Sequence, residues 1–251
     1  MTSTDPLTTA LAALAVPAPP GLDDRVFARW AVAPSRLGDV RVAFTADGPQ
    51  FVRPADGTDE RVFAAAHRAR FARPLRPAAR VPAGVGPVLR GRPGARPALD
   101  LTSGSAFERA VLTATRRIPD GQVRPYAWVA REAGYPAAVR AVGTVLARNP
   151  LPLLVPCHRV VRTDGALGGY MFGPQRKIEM LRAEGADVDG LGTLARAGVR
   201  YLASDTTGIV CFPSCRDARR ITPAHRHGFG SLDDARRAGY RPCLTCRPAA
   251  A

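Results

Sequence analysis

Lysine is almost missing from this sequence: of 36 basic side chains, only Lys177 is not an arginine. Set against 21 acidic residues, the arginines leave a formal charge of +15. Such a charge favours an anionic partner, because each cation placed on phosphate releases condensed counterions. A chain rich in alanine and proline also gains arginine by composition bias, so charge alone does not separate a nucleic-acid binder from a merely basic surface. Long apolar runs are missing too. The run Leu11 to Val16 is too short to cross a bilayer, follows no basic residue and precedes no small-residue cleavage pattern. Neither a membrane span nor a signal peptide is expected, and the protein is read as cytoplasmic. A disulfide framework is excluded by the count, since five cysteines are odd and four of them form two tight pairs.

Acidic residues are absent between Arg61 and Leu99, where nine arginines stand among prolines 74, 77, 82, 87, 93 and 97. That segment is expected to be an exposed basic connector. Residues 1–24 read as a lead-in with a few helical turns. Short apolar runs from Val26 to Val52, broken by Pro34-Ser35 and Asp47-Gly48-Pro49, predict a small antiparallel sheet, with a helix near Glu60 to Phe71. From Ser105 the spacing turns helical: Ser105 caps, Glu108 follows at the capping-box position, and the Pro119-Asp120-Gly121 turn stops the helix. Tyr126 to Ala133 and Ala137 to Arg148, joined by Gly134-Tyr135-Pro136, have helix-turn-helix length. The second of these helices lacks long polar side chains. Around Ala141 and Gly143 it would let a backbone approach DNA closely, or else be buried.

Cys157 is the one cysteine outside the pairs. An apolar strand, Leu151 to Val155, is expected to deliver it beside His158. A thiol becomes a nucleophile only as thiolate, and an imidazole linked to a carboxylate can take its proton. Adjacent strand residues face opposite ways, so the two pair only if the chain turns there. The segment RAVGTVLARNPLPLLVPCHRVV, extended through Gly165 to Glu184, resembles the O6-alkylguanine-DNA alkyltransferase family over about residues 105–185. The resemblance implies a mixed α/β (α+β) fold with an RNase H-like N-terminal scaffold and a mostly helical winged helix-turn-helix alkyltransferase domain. It implies duplex DNA carrying alkylated guanine as partner, and a monomer that transfers the alkyl group, also from O4-alkylthymine, irreversibly to Cys157. His158, a water and Glu184 would then form the activating relay. Arg140 would fill the gap left by the flipped base, Tyr126 would lend a proton to the departing guanine, and Asn149 would hold the turn. Tyr170 and Pro152 would wall the base pocket, and the backbone near Val160 would read the guanine edge. Met171 and Phe172 depart from the small residues some members carry there.

Cys211-x3-Cys215 and Cys243-x2-Cys246, 27 residues apart, have tetrathiolate zinc spacing. His225 and His227 lie between the pairs, but four thiolates already complete a tetrahedral site. TTGIVCFPSC and GYRPCLTCRP resemble the zinc-binding methylphosphotriester module of the adaptive-response Ada family over residues 200–248. By that resemblance Cys211 is a second methyl acceptor, with Thr207, Arg219 and Arg241 holding the DNA backbone; Arg219 needs a one-residue insertion. The alternatives are a zinc-stapled DNA-binding foot and a methylation-responsive regulator. The expected parts are residues 25–98 (scaffold and connector), 99–186 (alkyltransferase), 187–199 (linker) and 200–251 (zinc module). Two other readings compete: a lesion-binding protein without transfer, and a cysteine hydrolase with many turnovers.

Overall fold

The computed structural model describes residues 21–92 and 96–248, together with Ala10, Leu14 and Pro19. Most of the lead-in expected over residues 1–24 lies outside the described residues; its end is helix α1 (Leu22–Val26).

Strands β1 (Ala28–Ser35), β2 (Gly38–Thr45) and β3 (Gly48–Pro54) form the expected antiparallel meander, with Ala31 opposite Val42 and Val42 opposite Val52. Period-two alternation divides their side chains between two cores. Ala31, Ala33, Val40, Val42 and Val52 face the main core. Ala43 and Phe51 face the other way, onto Phe63 of helix α2 (Glu60–Phe71). Asp59 caps α2 by accepting from the Arg61 amide at 2.7 Å.

The segment expected to be an exposed connector is partly built into the fold. β4 (Leu75–Pro77) pairs in parallel with β1, giving the sheet order β3-β2-β1-β4. Helix α3 (Val85–Leu89) buries both of its terminal side chains. Pro77 is tolerated because β4 is the edge strand, and Val85 and Leu89 share a helix face at i, i+4. The prolines and arginines hid these two anchors.

Helix α4 (Ala106–Arg116) starts in the expected capping box, with Ser105 and Glu108 each accepting from the other's backbone amide. β5 (Arg124–Pro125) leads into α5 (Tyr126–Glu132), and α6 (Val139–Ala147) follows after a turn. No strand delivers Cys157, which is a correction to the sequence reading. Residues 157–159 form a short 3-10 helix, and the strand comes after it as β6 (Val160–Val161), parallel to β5. Prolines 150, 152 and 156 deny the preceding segment a ladder, and Leu153 takes a left-handed φ of 74°.

After α7 (Pro174–Ala183), the stretch expected to be a linker is helix α8 (Val188–Arg196), capped by Asp187 on the Gly190 amide at 2.8 Å. Strands β7 (Tyr201–Ser204), β8 (Ile209–Cys211), β9 (Arg226–Phe229) and β10 (Arg241–Pro242) form a second sheet, ordered β10-β8-β7-β9, with α9 (Leu232–Arg237) between the last two in sequence. This C-terminal sheet is not detached. Leu202, Phe212 and the four paired cysteines share one buried cluster with Leu112, Val129 and Val142. Ser214 Oγ both accepts from the Val123 amide (2.9 Å) and donates to its carbonyl (3.0 Å). The whole is a mixed α/β architecture. No helix among the described residues is long and apolar enough to cross a membrane.

Candidate functional site

The turn between α6 and Cys157 is organised by one buried amide. Asn149 Nδ2 donates to the Val155 carbonyl at 3.0 Å and to Cys157 Sγ at 3.2 Å, while its Oδ1 accepts from the Leu151 amide at 2.9 Å. The N-terminal sheet holds the same turn from outside. The β3 amide of Val52 donates to the Pro150 carbonyl at 2.8 Å, and Arg53 reaches that carbonyl at 3.3 Å. Burial and the nearby charge of Arg70 pull Arg53 down to about 10.

Cys157 is buried at 7 % exposure. Burial pushes its thiol above the ordinary cysteine range, against the Asn149 hydrogen bond and the attraction of Lys177. It therefore rests protonated and needs a base. His158, next in the 3-10 helix, turns its Nε2 onto Glu184 Oε1 at 2.8 Å and leaves a buried Nδ1 with no partner among the described residues. Burial lowers His158, opposed by the Glu184 carboxylate.

Glu184 is the C-cap of α7, where a carboxylate meets the unfavourable end of the helix dipole. Its side chain is nevertheless 2 % exposed. Burial raises it, but hydrogen bonds and charges from His158 and Arg159 more than offset this and hold it down to about 2. Arg159 grips it with Nε and Nη2, both at 2.8 Å, and Arg36, from the β1–β2 turn, approaches to 3.6 Å. Arg159 stood in the motif without a role, and Arg36 carried no signal at all.

Lys177 is the other residue the sequence did not place in the site. It is 1 % exposed, donates to the carbonyl of Val160 at 2.7 Å and to that of Leu167, and burial brings it down to about 8. Its scarcity was the available signal. A carbonyl has two lone pairs, so the Val160 carbonyl held by Lys177 still has one with which to accept. Tyr126 and Tyr170 are partly buried, and burial raises both phenols, so each keeps its proton. The Tyr170 ring lies 6.1 Å from that of His158 and donates its hydroxyl to Met180 Sδ at 3.5 Å. Pro152 is buried in an isolated bridge with Val155.

Helix α6 is neither wholly buried nor wholly free. Val142 and Leu146 face the core, while Arg140, Ala141 and Thr144 are exposed. Gly143 has open space where a side chain would begin.

The sulfur atoms of Cys211, Cys215, Cys243 and Cys246 all lie within 4.8 Å of one another and are buried. Four thiolates cannot share this volume without a cation. The donor set is that of a tetrahedral structural zinc site, and zinc is the cofactor it fits. His225 and His227 are not among the ligands; both bond Asp205, at 2.8 and 3.3 Å. A cavity of about 460 Å³ opens on Cys211, lined by Thr207, Thr222, His225 and Arg220. Arg219 is not in that lining. It donates to the carbonyls of Gly121 (2.8 Å), Gly185 (3.2 Å) and Ser214 (3.3 Å), tying the second sheet to the first part of the chain. Its neighbour Arg220 does line the cavity. Arg241 is exposed on β10.

Residues 106–186 match the family described as 6-O-methylguanine DNA methyltransferase, DNA binding domain. Residues 195–249 match the metal binding domain of Ada. A methylated-DNA--protein-cysteine methyltransferase of Salmonella typhimurium is 49 % identical over 84 residues, covering 34 % of this chain and 49 % of that protein. The bifunctional transcriptional activator/DNA repair enzyme Ada of Escherichia coli is 48 % identical over 81 residues, covering 32 % of this chain and 23 % of that protein. The structure of Mycobacterium tuberculosis OGT in complex with DNA is similar at 28 % identity and a TM-score of 0.48, over 66 % of this chain and 98 % of that one. The chain spans about half the length, or less, of these curated relatives. Both resemblances named from the sequence stand, and the first matched segment is by its description a DNA-binding domain.

Proposed function

We propose that this chain is a one-turnover repair protein for duplex DNA, in which Cys157 takes the alkyl group from O6-alkylguanine, and also from O4-alkylthymine. The observation that carries this reading is the linked set Asn149, Cys157, His158 and Glu184. It comprises a positioned sulfur, an imidazole with one free nitrogen, and a carboxylate that stabilises the imidazole once it is charged.

In the step itself the sulfur lone pair forms a bond to the alkyl carbon as the carbon–oxygen bond breaks, its electrons going to the base. The thiol proton passes to His158 through the water relay that the resemblance implies. The departing guanine takes a proton through the Tyr126 hydroxyl. Overall, the thiol proton replaces the alkyl group on the base, and the thioether has no leaving group to reverse the reaction. Arg140, on the exposed face of α6, would occupy the gap of a base flipped towards Cys157, and Tyr170 would line its pocket.

The finer reading of the architecture goes with this function. It consists of an RNase H-like scaffold over residues 25–98, a winged helix-turn-helix alkyltransferase part over 99–186, a joining segment over 187–199 and a zinc module from 200, acting as an intracellular monomer. The α5–α6 pair beside the β5–β6 ladder supports the winged form.

A second transfer, from a DNA methylphosphotriester to zinc-bound Cys211, is favoured by the cavity that opens on that cysteine alone among the four, with Arg220 on its lining. When bound, the zinc would keep the sulfur as thiolate; Thr207 and Arg220 would hold the DNA backbone. Intact and peptide mass analysis after mixing with excess duplex separates the readings. A methyl on Cys157 from O6-methylguanine and on Cys211 from the phosphotriester supports both transfers. A methyl on Cys157 only leaves the zinc module as a DNA-binding foot, and none on either removes the enzyme reading.

A further inference from the structure

Arg124, in β5, is 2 % exposed. One of its terminal nitrogens donates to Gln122 Oε1 at 2.6 Å and the other to the Val123 carbonyl at 2.8 Å; its Nε is buried without a partner among the described residues. Its guanidinium lies 5.7 Å from the Trp128 ring centre and 5.4 Å from that of Phe212. Among the described residues it makes no ion pair with a carboxylate. Both rings belong to the wall of the cysteine cluster: Phe212 follows Cys211 and donates its amide to Cys246 Sγ at 3.4 Å, and Trp128 Nε1 donates to the Cys246 carbonyl. A guanidinium taken out of water without a counter-ion is strongly unfavourable, and two neutral acceptors and two ring faces do not replace one. Four thiolates around a divalent metal keep a net negative charge that is equally unfavourable in a buried cluster.

We infer that Arg124 is the counter-charge of the tetrathiolate metal cluster, so that the metal fixes β5 of the alkyltransferase part as well as the C-terminal sheet. The connection to Cys157 is short. Arg124 pairs with Val160, which comes directly after Cys157-His158-Arg159, and Tyr126 begins α5 two residues after Arg124. Trp128 reinforces the seam from the same helix, donating Nε1 to the Cys246 carbonyl at 3.0 Å. Arg124 is thus a positioning residue: it acts on the site through the strand that Tyr126 leaves.

The test uses the full zinc-loaded chain and no DNA, so its result does not depend on transfer at Cys157 or Cys211. Zinc release to a colorimetric chelator is followed in the parent protein, in Arg124→Met, which keeps most of the packing, and in Arg124→Lys, which keeps the charge. The expected result is roughly 10- to 100-fold weaker zinc retention in Arg124→Met, the usual scale for an outer partner of a metal site, and recovery of most of it in Arg124→Lys. Hydrogen exchange on the parent protein after chelation is the second arm, and it decides alone if Arg124→Met does not fold. Protection should be lost at the amides of Arg124, Tyr126, Val160 and Val161 while β1 to β3 keep theirs. Parent-like zinc retention in a folded Arg124→Met, or a protected β5 in the zinc-free chain, overturns the inference.

Discussion

Asn149 Nδ2 donates to the sulfur of Cys157 at 3.2 Å while its Oδ1 holds the Leu151 amide at 2.9 Å, so one side chain sets both the turn and the nucleophile. Asn149→Ala leaves the Leu151 N–H buried without a partner, at about 1–3 kcal/mol, while the Val155 carbonyl keeps the Cys157 amide at 2.8 Å. It also removes the donor that opposes the effect of burial on the thiol. The expected outcome is a melt lowered by several degrees and, in the protein that remains folded, transfer slowed about 100-fold, the scale of losing one preorganised donor. Single-turnover kinetics beside thermal melting check this; a full transfer rate in folded Asn149→Ala sinks it.

Glu184 predicts an acid limb. Its folded value, about 2, lies below its ordinary 4.5. The folded state therefore holds the ionised carboxylate more tightly than the unfolded chain does. The stability this contributes is present above about pH 4.5 and is lost as pH falls from there towards 2; full loss corresponds to about 3 kcal/mol. Urea melts between pH 6 and 3 should show the decline in the parent and a flatter limb in Glu184→Gln. That variant also starts lower, because Arg159 and Arg36 lose the Glu184 charge, although Arg159 keeps Asp120 and Arg36 keeps the Gly91 carbonyl. Parallel limbs would place the acid sensitivity elsewhere.

What could be read in the sequence was what repeats locally. The Ser105–Glu108 cap, the α5–α6 pair and the cysteine spacing are short-range patterns, and all appear where expected. The pairing of His158 with Glu184 was reachable only through a family resemblance, since a glutamate at a helix C-terminus otherwise reads as surface. The roles of Arg36, Arg124 and Arg159 were not legible, and that of Lys177 was hinted at only by its being the one lysine. A buried cation looks like a solvated one until its partner is known, and these partners come from other elements: Glu184 for Arg36 and Arg159, the thiolates for Arg124, the Val160 carbonyl for Lys177. Helix α8 was missed for the opposite reason. Its two internal glycines and short length suggested a linker, while Asp187 and the Val188-Leu191-Leu194 spacing were the signals that outweighed them.

Arg140 separates recognition from chemistry. It is exposed on α6, so Arg140→Ala should leave the melt within about 0.5 kcal/mol of the parent, as surface changes do. If it replaces a flipped base, transfer from alkylguanine in duplex DNA should fall at least tenfold, and transfer from the free alkylguanine base should not change. Equal losses on both substrates would mean that Arg140 acts on the reacting groups or the fold, not on the DNA gap.

Gly121 tests the far end of the relay without touching a reactive group. Its φ of 67° lies in the left-handed region, and a Cβ placed there would come within 2.5 Å of the Glu184 carbonyl oxygen. The Gly121 amide also points at Glu184 Oε2 from 3.4 Å, and its carbonyl accepts from Arg219. Gly121→Ala therefore carries the left-handed penalty of about 1–2 kcal/mol, and it must also push back the residue that orients His158. Backbone strain alone would lower the melt and leave the folded fraction as reactive as before. A displaced Glu184 would in addition weaken the partner of the His158 imidazolium, slowing transfer and moving its pH profile towards that of Glu184→Gln. Single-turnover profiles of the two variants, each corrected for its folded fraction, decide between these outcomes. A parent-like profile in Gly121→Ala would show that the relay tolerates movement of its carboxylate.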